Sequence, residues 1–273
     1  MGVTTASGLE RISEGREAEV FALANGHVLR VFREARPRFV LEREVAAMAA
    51  ARAVMPSVPE VYGVSEFDGR PAMEMERVDG PDLLAGVGER PWTVWRAGAV
   101  AGELQARLHA AVAPAALEDV KARVDRMLAS PLVPAEVAVW ARSRLGSLPD
   151  GDRILHGDYH PANVLDSPRG PVVIDWPNAT RGDPDADVAR SLLMLRLGEP
   201  PPGSPLVIRL GAKALRPVMI AAYTRAYRRV RAYDARAVEA WVSVRACDRL
   251  AEGIAEERGK LLAVVGKAMR RGE

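Results

Sequence analysis

The N-terminal third of the chain has the hydrophobic pattern of an antiparallel sheet with one helix. Strand-like runs at residues 18–23 and 28–32 are separated by Asn25-Gly26, the dipeptide most typical of a tight hairpin turn. Residues 38–52 instead place apolar side chains at the spacing of one helical face, directly after the helix-compatible Pro37. These patterns predict a hairpin followed by a helix.

A second hairpin follows the predicted helix. Residues 61–67 and 71–75 are strand-like and flank Asp68-Gly69, another tight-turn dipeptide. The predicted order of elements is strand, strand, strand, helix, strand, strand. Residues 76–81 form an exposed connector to the rest of the chain.

The remainder is mainly helical in pattern. Helices are predicted over residues 92–111, 117–128, 134–146, 186–197, 212–230, 235–250 and 250–268. Gly98 and Gly102 fall on one face of the first of these, where they permit close packing of another helix. The Gly- and Pro-rich break at residues 198–205 is either a mobile loop beside a substrate site or a solvated connector.

Polar residues that could take part in catalysis or metal binding are concentrated between positions 154 and 189. Asp158 opens a loop in which Pro161 prevents a continuing helix, and Asn163 follows five residues after the aspartate. A turn then leads into the β-branched run 172–174, which ends at Asp175. Transfer of a γ-phosphoryl group needs a carboxylate that orients the attacking hydroxyl and hard oxygen ligands for Mg²⁺. Asp158, Asn163 and Asp175 supply that set, although isolated Asp and Asn residues are also common in ordinary turns.

The motifs in this segment occur in a fixed order. H-G-D-x-x-x-x-N is followed by an apolar strand ending in D-W, and then by G-D-P-x-x-D-x-A. This order resembles the aminoglycoside phosphotransferase and choline kinase-like branch of the protein-kinase-like fold. The resemblance implies an α+β, two-lobed fold, with a small N-lobe of antiparallel sheet and one helix at residues 1–79. A larger, mainly helical C-lobe would occupy residues 80–273.

The resemblance also assigns roles to the segment. Asp158 matches the catalytic base, and Asn163 and Asp175 match the two magnesium ligands. His156 matches a loop histidine with a structural role, and Asp187 matches the aspartate that braces the catalytic loop.

In the N-lobe, the resemblance places a nucleotide site that departs from the usual pattern. Arg30 occupies the position where the family usually has a lysine that binds phosphate, and Glu44 matches its ion-pair partner on the following helix. A guanidinium group can bind phosphate oxygens bidentately, so the charge is kept while the geometry changes. The alternative is that Arg30 is a surface arginine on a strand. The backbone of Glu76 and Val78, in the connector, would contact the nucleotide base.

Two further features bear on phosphate binding. No lysine precedes Lys121, and the loop at residues 13–18 has the single glycine Gly15 where a backbone could approach phosphates closely. No P-loop motif is present, because Gly259-Lys260 and Gly266-Lys267 are not followed by serine or threonine.

Composition is consistent with a soluble enzyme. The sequence contains no apolar run of 18 residues and no secretory hydrophobic region, so we expect no membrane span and a cytoplasmic location. Cys247 is the single cysteine, which excludes an intrachain disulfide and is more typical of a packed helix than of a nucleophile. The net charge of +2 does not describe a strongly acidic pocket for a polycation, and we expect no nucleic-acid partner.

The identity of the acceptor is left open by the sequence. Acidic residues in the C-terminal helical region could bind an amine on the acceptor: Asp183, Asp185, Glu252, Glu256 and Glu257. An arginine cluster is either a solvated helix face or a docking surface for an acidic or phosphate-bearing substrate: Arg225, Arg228, Arg229 and Arg231.

The sequence thus predicts a kinase that phosphorylates a hydroxyl of a small molecule, with Mg²⁺ and ATP or GTP. A catalytically silent nucleotide-binding module of the same fold is the alternative. A protein kinase is disfavoured, because no long activation loop or A-P-E motif separates Asp175 from Gly182.

Overall fold

The computed structural model describes residues 3–4, 8–15, 17–198 and 206–272. Its N-terminal part is an antiparallel sheet with one helix packed against it. The elements in chain order are β1 (Val3–Thr4), β2 (Glu10–Glu14), β3 (Ala18–Ala22), β4 (His27–Phe32), α1 (Arg38–Val54), β5 (Val61–Phe67) and β6 (Arg70–Glu76). The strands lie in the order β1-β2-β3-β4-β6-β5. Both predicted hairpins and the predicted helix are confirmed.

The alternation of side chains along β4 divides the sheet between two apolar clusters. Leu29 and Val31 pack in one cluster, whereas Phe32 packs with Leu41 of α1 in the other. Successive side chains of a strand point to opposite faces, so Arg30 shares the face of Phe32. Arg30 therefore projects toward α1.

The C-terminal part is mainly helical, with four short strands that carry loops. Its elements are α2 (Leu83–Glu89), α3 (Val94–Leu108), α4 (Val120–Met127), α5 (Ala135–Leu145), β7 (Arg153–Leu155), β8 (Val164–Ser167), β9 (Gly170–Val173), β10 (Thr180–Gly182), α6 (Pro184–Leu197), α7 (Leu206–Val230), α8 (Ala235–Leu250) and α9 (Ala255–Arg271). β7 pairs with β10 and β8 pairs with β9, both antiparallel. The sheet followed by a mainly helical region confirms the predicted α+β, kinase-like fold class.

The helix α3 packs closely against α7 through the two predicted glycines. A side chain at Gly98 would collide with the backbone carbonyl of Met219, and one at Gly102 with that of Tyr223. The prediction that these glycines permit close helix packing is confirmed.

Some elements differ from the sequence prediction. α2 was not predicted, because Gly86 and Gly88 weaken its pattern; it forms with Asp82 as a side-chain cap and with Leu83 and Val87 buried. The predicted helix at 117–128 begins only at Val120, where the Asp119 side chain caps it. β9 ends at Val173 rather than at Asp175.

The Gly- and Pro-rich break predicted at residues 198–205 lies outside the described residues, apart from Gly198. Over the ranges that are described, no helix has the length and apolar character needed to cross a membrane.

Candidate active site

The loop after β7 is shaped by one glycine and one proline. Gly157 has a φ of 79°, and a side chain there would collide with the backbone of Asn178, so glycine is required. Pro161 begins a 3₁₀ turn that ends at Asn163. Asn163 Nδ2 donates to the backbone oxygen of Asp158 at 2.9 Å. The loop therefore holds Asp158 and Asn163 against each other.

Asp187 anchors this loop from α6. Its Oδ1 accepts from the backbone N–H of Gly157 at 2.8 Å, and its Oδ2 accepts from that of His156 at 3.1 Å. Gln105 Nε2 and His109 Nε2 also lie within hydrogen-bonding distance of Oδ2, at 2.8 and 3.2 Å. Burial raises the pKa of Asp187, but the contacts with His109 and Gln105 outweigh burial and hold it well below its usual range. The expected bracing role of Asp187 is confirmed by this geometry.

His156 links the loop to the chain that precedes Asp175. Its Nδ1 accepts from the backbone N–H of Asp158 at 3.3 Å, so Nε2 carries the proton and donates to the carbonyl of Ile174 at 3.0 Å. Burial lowers the pKa of His156, which keeps the ring neutral at pH 7. Its expected structural role agrees with these contacts.

Asp158 is a partly buried carboxylate with an arginine and a histidine beside it. Arg190 Nη2 lies 3.6 Å from its Oδ1, and His160 Nε2 lies 3.8 Å from its Oδ2. Burial raises the pKa of Asp158, but His160 and Arg190 together hold it well below its usual range. Asp158 is therefore ionised at neutral pH.

Asp175 lies beside Asn163 in a strained backbone conformation. The backbone N–H of Ile174 donates to the carbonyl of Asn163 at 2.9 Å, which brings the two segments together. Asp175 has a φ of 67°, a conformation that a non-glycine residue adopts at an energetic cost. Strain of this kind is concentrated at functional sites, where the surrounding structure must maintain it.

Arg30 connects the sheet to both α1 and Asp175. Its Nη1 lies 2.7 Å from Glu44 Oε1, and its Nη2 lies 3.0 Å from Asp175 Oδ1. Burial raises the pKa of Glu44, while the charge of Arg30 acts against that rise. The expected ion pair is confirmed, and the contact with Asp175 brings a sheet residue to the candidate metal site.

The donors at Asn163 and Asp175 fit the chemistry of Mg²⁺. Within the described ranges, no group of three or more His, Cys, Asp or Glu side chains could hold a metal ion. Magnesium is usually bound by one or two protein carboxylates together with waters and substrate phosphates, so a larger protein cluster is not required. Asn163 uses Nδ2 for the loop, which leaves its Oδ1 as an oxygen ligand, and the Asp175 side chain is 43% exposed.

The connector after β6 has free backbone groups. Among the described residues, the N–H and C=O of Val78 have no hydrogen-bond partner. The Glu76 side chain is held by Arg169, whose Nε lies 2.9 Å from Oε1. The backbone N–H of Glu76 donates to the carbonyl of Glu60 at 2.8 Å. Of the backbone groups expected to contact a nucleotide base, those of Val78 are therefore available, whereas the N–H of Glu76 is already engaged. In the loop between β2 and β3, where a backbone approach to phosphates was predicted, the N–H of Gly15 donates to the carbonyl of Ala18 at 2.8 Å.

Two of the acids expected to bind an amine, Asp183 and Asp185, lie at the start of α6. Asp183 Oδ2 accepts a hydrogen bond from Trp241 Nε1 at 3.0 Å, and its Oδ1 accepts from the backbone N–H of Asp185 at 3.2 Å. Among the described residues, no hydrogen bond or ion pair joins either acid to Asp158, Asn163 or Asp175.

The other acids of that group have different environments. Glu252 contacts both Arg190 and Arg249, and the buried Glu257 pairs with Arg249 at 2.6 Å. Glu256 is exposed. Arginines therefore already engage the carboxylates of Glu252 and Glu257.

Arg190 was missed by the sequence reasoning, although α6 carried a signal. It lies in a run of buried residues from Ala186 to Met194 and is 5% exposed. A charged residue is rarely buried without a specific partner, so an arginine inside an apolar helical stretch could have been singled out.

Comparisons with known proteins agree with this geometry. A profile of the family described as "Phosphotransferase enzyme family" matches residues 8–238. Streptomycin 6-kinase of Streptomyces griseus is 34% identical over 128 residues, which span 42% of this chain and 40% of that enzyme.

Solved structures share the fold at low sequence identity. Aminoglycoside-3'-phosphotransferase of type VIII superposes with a TM-score of 0.62 at 20% identity, covering 89% of this chain and 92% of that chain. Aminoglycoside phosphotransferase APH(3'')-Id from Streptomyces rimosus superposes with a TM-score of 0.58 at 17% identity, covering 89% and 93%. Because the family profile extends over most of the chain and includes both Asp158 and Asp175, the protein belongs to the phosphotransferase enzyme family.

Proposed function

We propose that the protein is a small-molecule kinase that transfers the γ-phosphoryl group of a nucleoside triphosphate to a hydroxyl of a metabolite or antibiotic. One observation carries the proposal. Asn163 is hydrogen-bonded both to Asp158 and to Ile174, the residue before Asp175, and Arg30 contacts Asp175 from the sheet. Two loops and a strand thus bring together the groups that phosphoryl transfer requires.

In this proposal, Asp158 orients the acceptor. The ionised carboxylate accepts a hydrogen bond from the attacking hydroxyl and receives its proton as the bond from oxygen to the γ-phosphorus forms. The bond between that phosphorus and the β–γ bridging oxygen breaks, and the nucleoside diphosphate leaves with the bonding electrons. Asn163 and Asp175 would hold Mg²⁺, which neutralises charge on the phosphate oxygens when it is bound.

The nucleotide would lie between two lobes, residues 1–79 and 80–273. Glu76 and Val78 would meet the base through their backbone, and Arg30, held by Glu44, would contact the phosphates as the substitute for lysine. Known relatives include a GDP and kanamycin complex of an APH(2'') enzyme and an ADP and streptomycin complex of APH(3'')-Id. We therefore propose ATP or GTP as the donor.

The acceptor proposal starts from the same relatives. Streptomycin 6-kinase is 34% identical over the matched segment, and streptomycin is bound in the APH(3'')-Id complex. Streptomycin is accordingly the first acceptor to test, followed by other hydroxylated antibiotics, sugars and amino alcohols.

One observation favours a second candidate function. The Arg30 guanidinium is engaged by both Glu44 and Asp175. If nucleotide cannot displace the contact with Asp175, the protein is a catalytically silent nucleotide-binding module.

The test is a screen of acceptors with MgATP and MgGTP, in which phosphate transfer is followed by mass. A mass increase of one phosphate on an acceptor supports the kinase, whereas nucleotide binding without transfer to any acceptor supports the silent module.

The role of Asp158 is tested in the same assay. We expect Asp158→Asn to keep the fold and nucleotide affinity and to lower kcat by about 10²–10⁴-fold, because the amide cannot accept the hydroxyl proton. Turnover near that of the wild type would remove Asp158 from the mechanism.

A further inference from the structure

Arg190 is a buried cation in the buried stretch Ala186–Met194 of α6, which also contains the polar residues Asp187 and Ser191. It is 5% exposed, three residues after Asp187, which anchors the catalytic loop. Removing a guanidinium group from water is unfavourable unless carboxylates compensate for the lost hydration. We therefore looked for the carboxylates that stabilise Arg190 and for what they connect.

The partners of Arg190 come from two separate parts of the chain. Nη2 contacts Glu252, at the connection between α8 and α9, and lies 3.6 Å from Asp158 Oδ1. Nη1 lies 4.0 Å from Asp248 Oδ2 on α8. One side chain thus connects the catalytic loop to the C-terminal end of α8 and the residues that follow it.

The guanidinium group of Arg190 does not use all of its hydrogen-bond donors. Nη2 is shared between Glu252 and Asp158, whereas the buried Nε has no hydrogen-bond partner among the described residues. A buried N–H without a partner is unfavourable, so hydrogen bonding alone does not account for this orientation of Arg190. The orientation does place a positive group against one oxygen of Asp158.

We propose that Arg190 is a positioning residue for Asp158 and that Glu252 holds Arg190 in place. This inference rests on the proposed function, because it concerns the carboxylate that orients the acceptor hydroxyl. Arg190 fixes Oδ1 of Asp158, and the side-chain torsion of Asp158 is thereby set before the acceptor binds. The Glu252 side chain is 26% exposed, whereas that of Arg190 is 6% exposed.

A double-mutant cycle between Arg190 and Asp158 tests the proposal. Turnover is measured with MgATP and streptomycin as the probe acceptor, with release of ADP as the signal. We expect Arg190→Lys to lower kcat by about 10- to 100-fold with the KM for MgATP within about two-fold, because a small displacement of a reacting group has a large effect on rate. In the Asp158→Asn background, the same change should have no further effect on kcat.

Two other variants separate positioning from general stability. Glu252→Gln should lower kcat by about 3- to 10-fold. In the double variant with Arg190→Lys, the two losses in kcat should not multiply, because both changes act on one contact. Arg70→Lys is the control, since Arg70 pairs with Glu19 at 2.7 Å on the N-terminal sheet and shares no partner with Arg190. It makes the same chemical change in another ion pair, so kcat should stay within about two-fold whatever the shift in melting temperature.

The outcomes distinguish this inference from the proposed function. Wild-type kcat in Arg190→Lys, or losses from Arg190→Lys and Asp158→Asn that multiply, would overturn the positioning role alone. Wild-type kcat in Asp158→Asn would overturn the proposed role of Asp158 and the inference with it. If Arg190→Lys does not fold, the double-mutant cycle is run with Glu252→Gln and Asp158→Asn. Wild-type kcat in Glu252→Gln, or losses in kcat that multiply in the double variant, would then overturn the positioning role.

Discussion

At the scale of single residues, Arg30 carries the clearest departure from the family pattern. Its guanidinium lies between Glu44 and Asp175, with contacts of 2.7 and 3.0 Å. The planar fork of arginine can satisfy two carboxylates at once, which the single ammonium group of lysine cannot do with the same geometry. Glu44 is deeply buried and Asp175 is half exposed, so nucleotide can replace the second contact more readily than the first.

This geometry predicts how Arg30 and Glu44 act together. Arg30→Ala should raise the KM for nucleotide and lower kcat, because a phosphate contact is lost. Glu44→Ala should have a smaller effect and add little in the double mutant, since both changes remove one interaction. Steady-state kinetics of the three variants provide the measurement.

Arg30→Lys separates charge from geometry. Partial recovery of activity relative to Arg30→Ala indicates that charge dominates, whereas no recovery indicates that the bidentate fork is needed. Additive losses in the double mutant would contradict the functional pair, and unchanged kinetics in Arg30→Ala would favour the silent module.

The candidate metal ligands make a separate prediction. Asp175→Ala should weaken Mg²⁺-dependent nucleotide binding and turnover more than Asn163→Ala, because a charged ligand is lost in the first and a neutral one in the second. Calorimetric titration of MgATP into each variant, compared with ATP in the presence of a chelator, measures the difference. Equal MgATP affinity in both variants and the wild type would place the metal elsewhere.

At the scale of elements, the contact between α3 and α7 depends on glycine. A side chain at Gly102 would meet the backbone of Tyr223, which cannot move aside as a flexible side chain can. Gly102→Ala should therefore lower the free energy of unfolding by about 1–3 kcal/mol. Urea denaturation followed by circular dichroism is the measurement.

Gly211 of α7 provides the control for this prediction. A Cβ there would have no atom within 4 Å, so Gly211→Ala should stabilise the protein by about 0.5–1 kcal/mol through helix propensity. A stabilising effect of Gly102→Ala would show that the two helices are not packed as described.

The elements also show how far local pattern predicts the fold. The hairpins at Asn25-Gly26 and Asp68-Gly69 could be located from the sequence. In each, a dipeptide typical of tight turns lies between two strand-like runs, so both signals occur within a few residues. β7 and β10 could not, because each has only three residues and they pair across an intervening hairpin. The short α2 was hidden by glycines that lower its intrinsic propensity, while burial and a cap supply its stability.

At the scale of the whole molecule, the site is assembled from distant segments. Arg30 and Asp175 are 145 positions apart, and Arg190 meets Glu252 across 62 positions. Motif spacing could predict Asp158, Asn163 and Asp175 as candidate site residues because they belong to one segment. The contacts of Arg190 depend on how α6, α8 and α9 pack, and no local pattern encodes that arrangement.

Charge placement in the whole fold also sets a dependence of stability on pH. Burial, together with the nearby charge of Asp183, raises the pKa of Asp185 to about 6 from its ordinary value near 3.8. A raised pKa means that the folded state favours the protonated form, so this contribution to stability is complete below pH 3.8 and is lost as the pH rises through 6. Above that range, ionised Asp185 destabilises the fold.

Asp185→Asn should remove this penalty, since the neutral amide resembles the protonated carboxyl in shape. At pH 8 the variant should be more stable than the wild type by about 1 kcal/mol, after allowance for solvent screening of a partly exposed group. At pH 4 the two proteins should have similar free energies of unfolding, because Asp185 of the wild type is then largely protonated in the folded state. Melting temperatures measured across pH 4 to 8 give the comparison, and a stability difference that does not grow with pH would show that Asp185 is ionised in the fold without penalty.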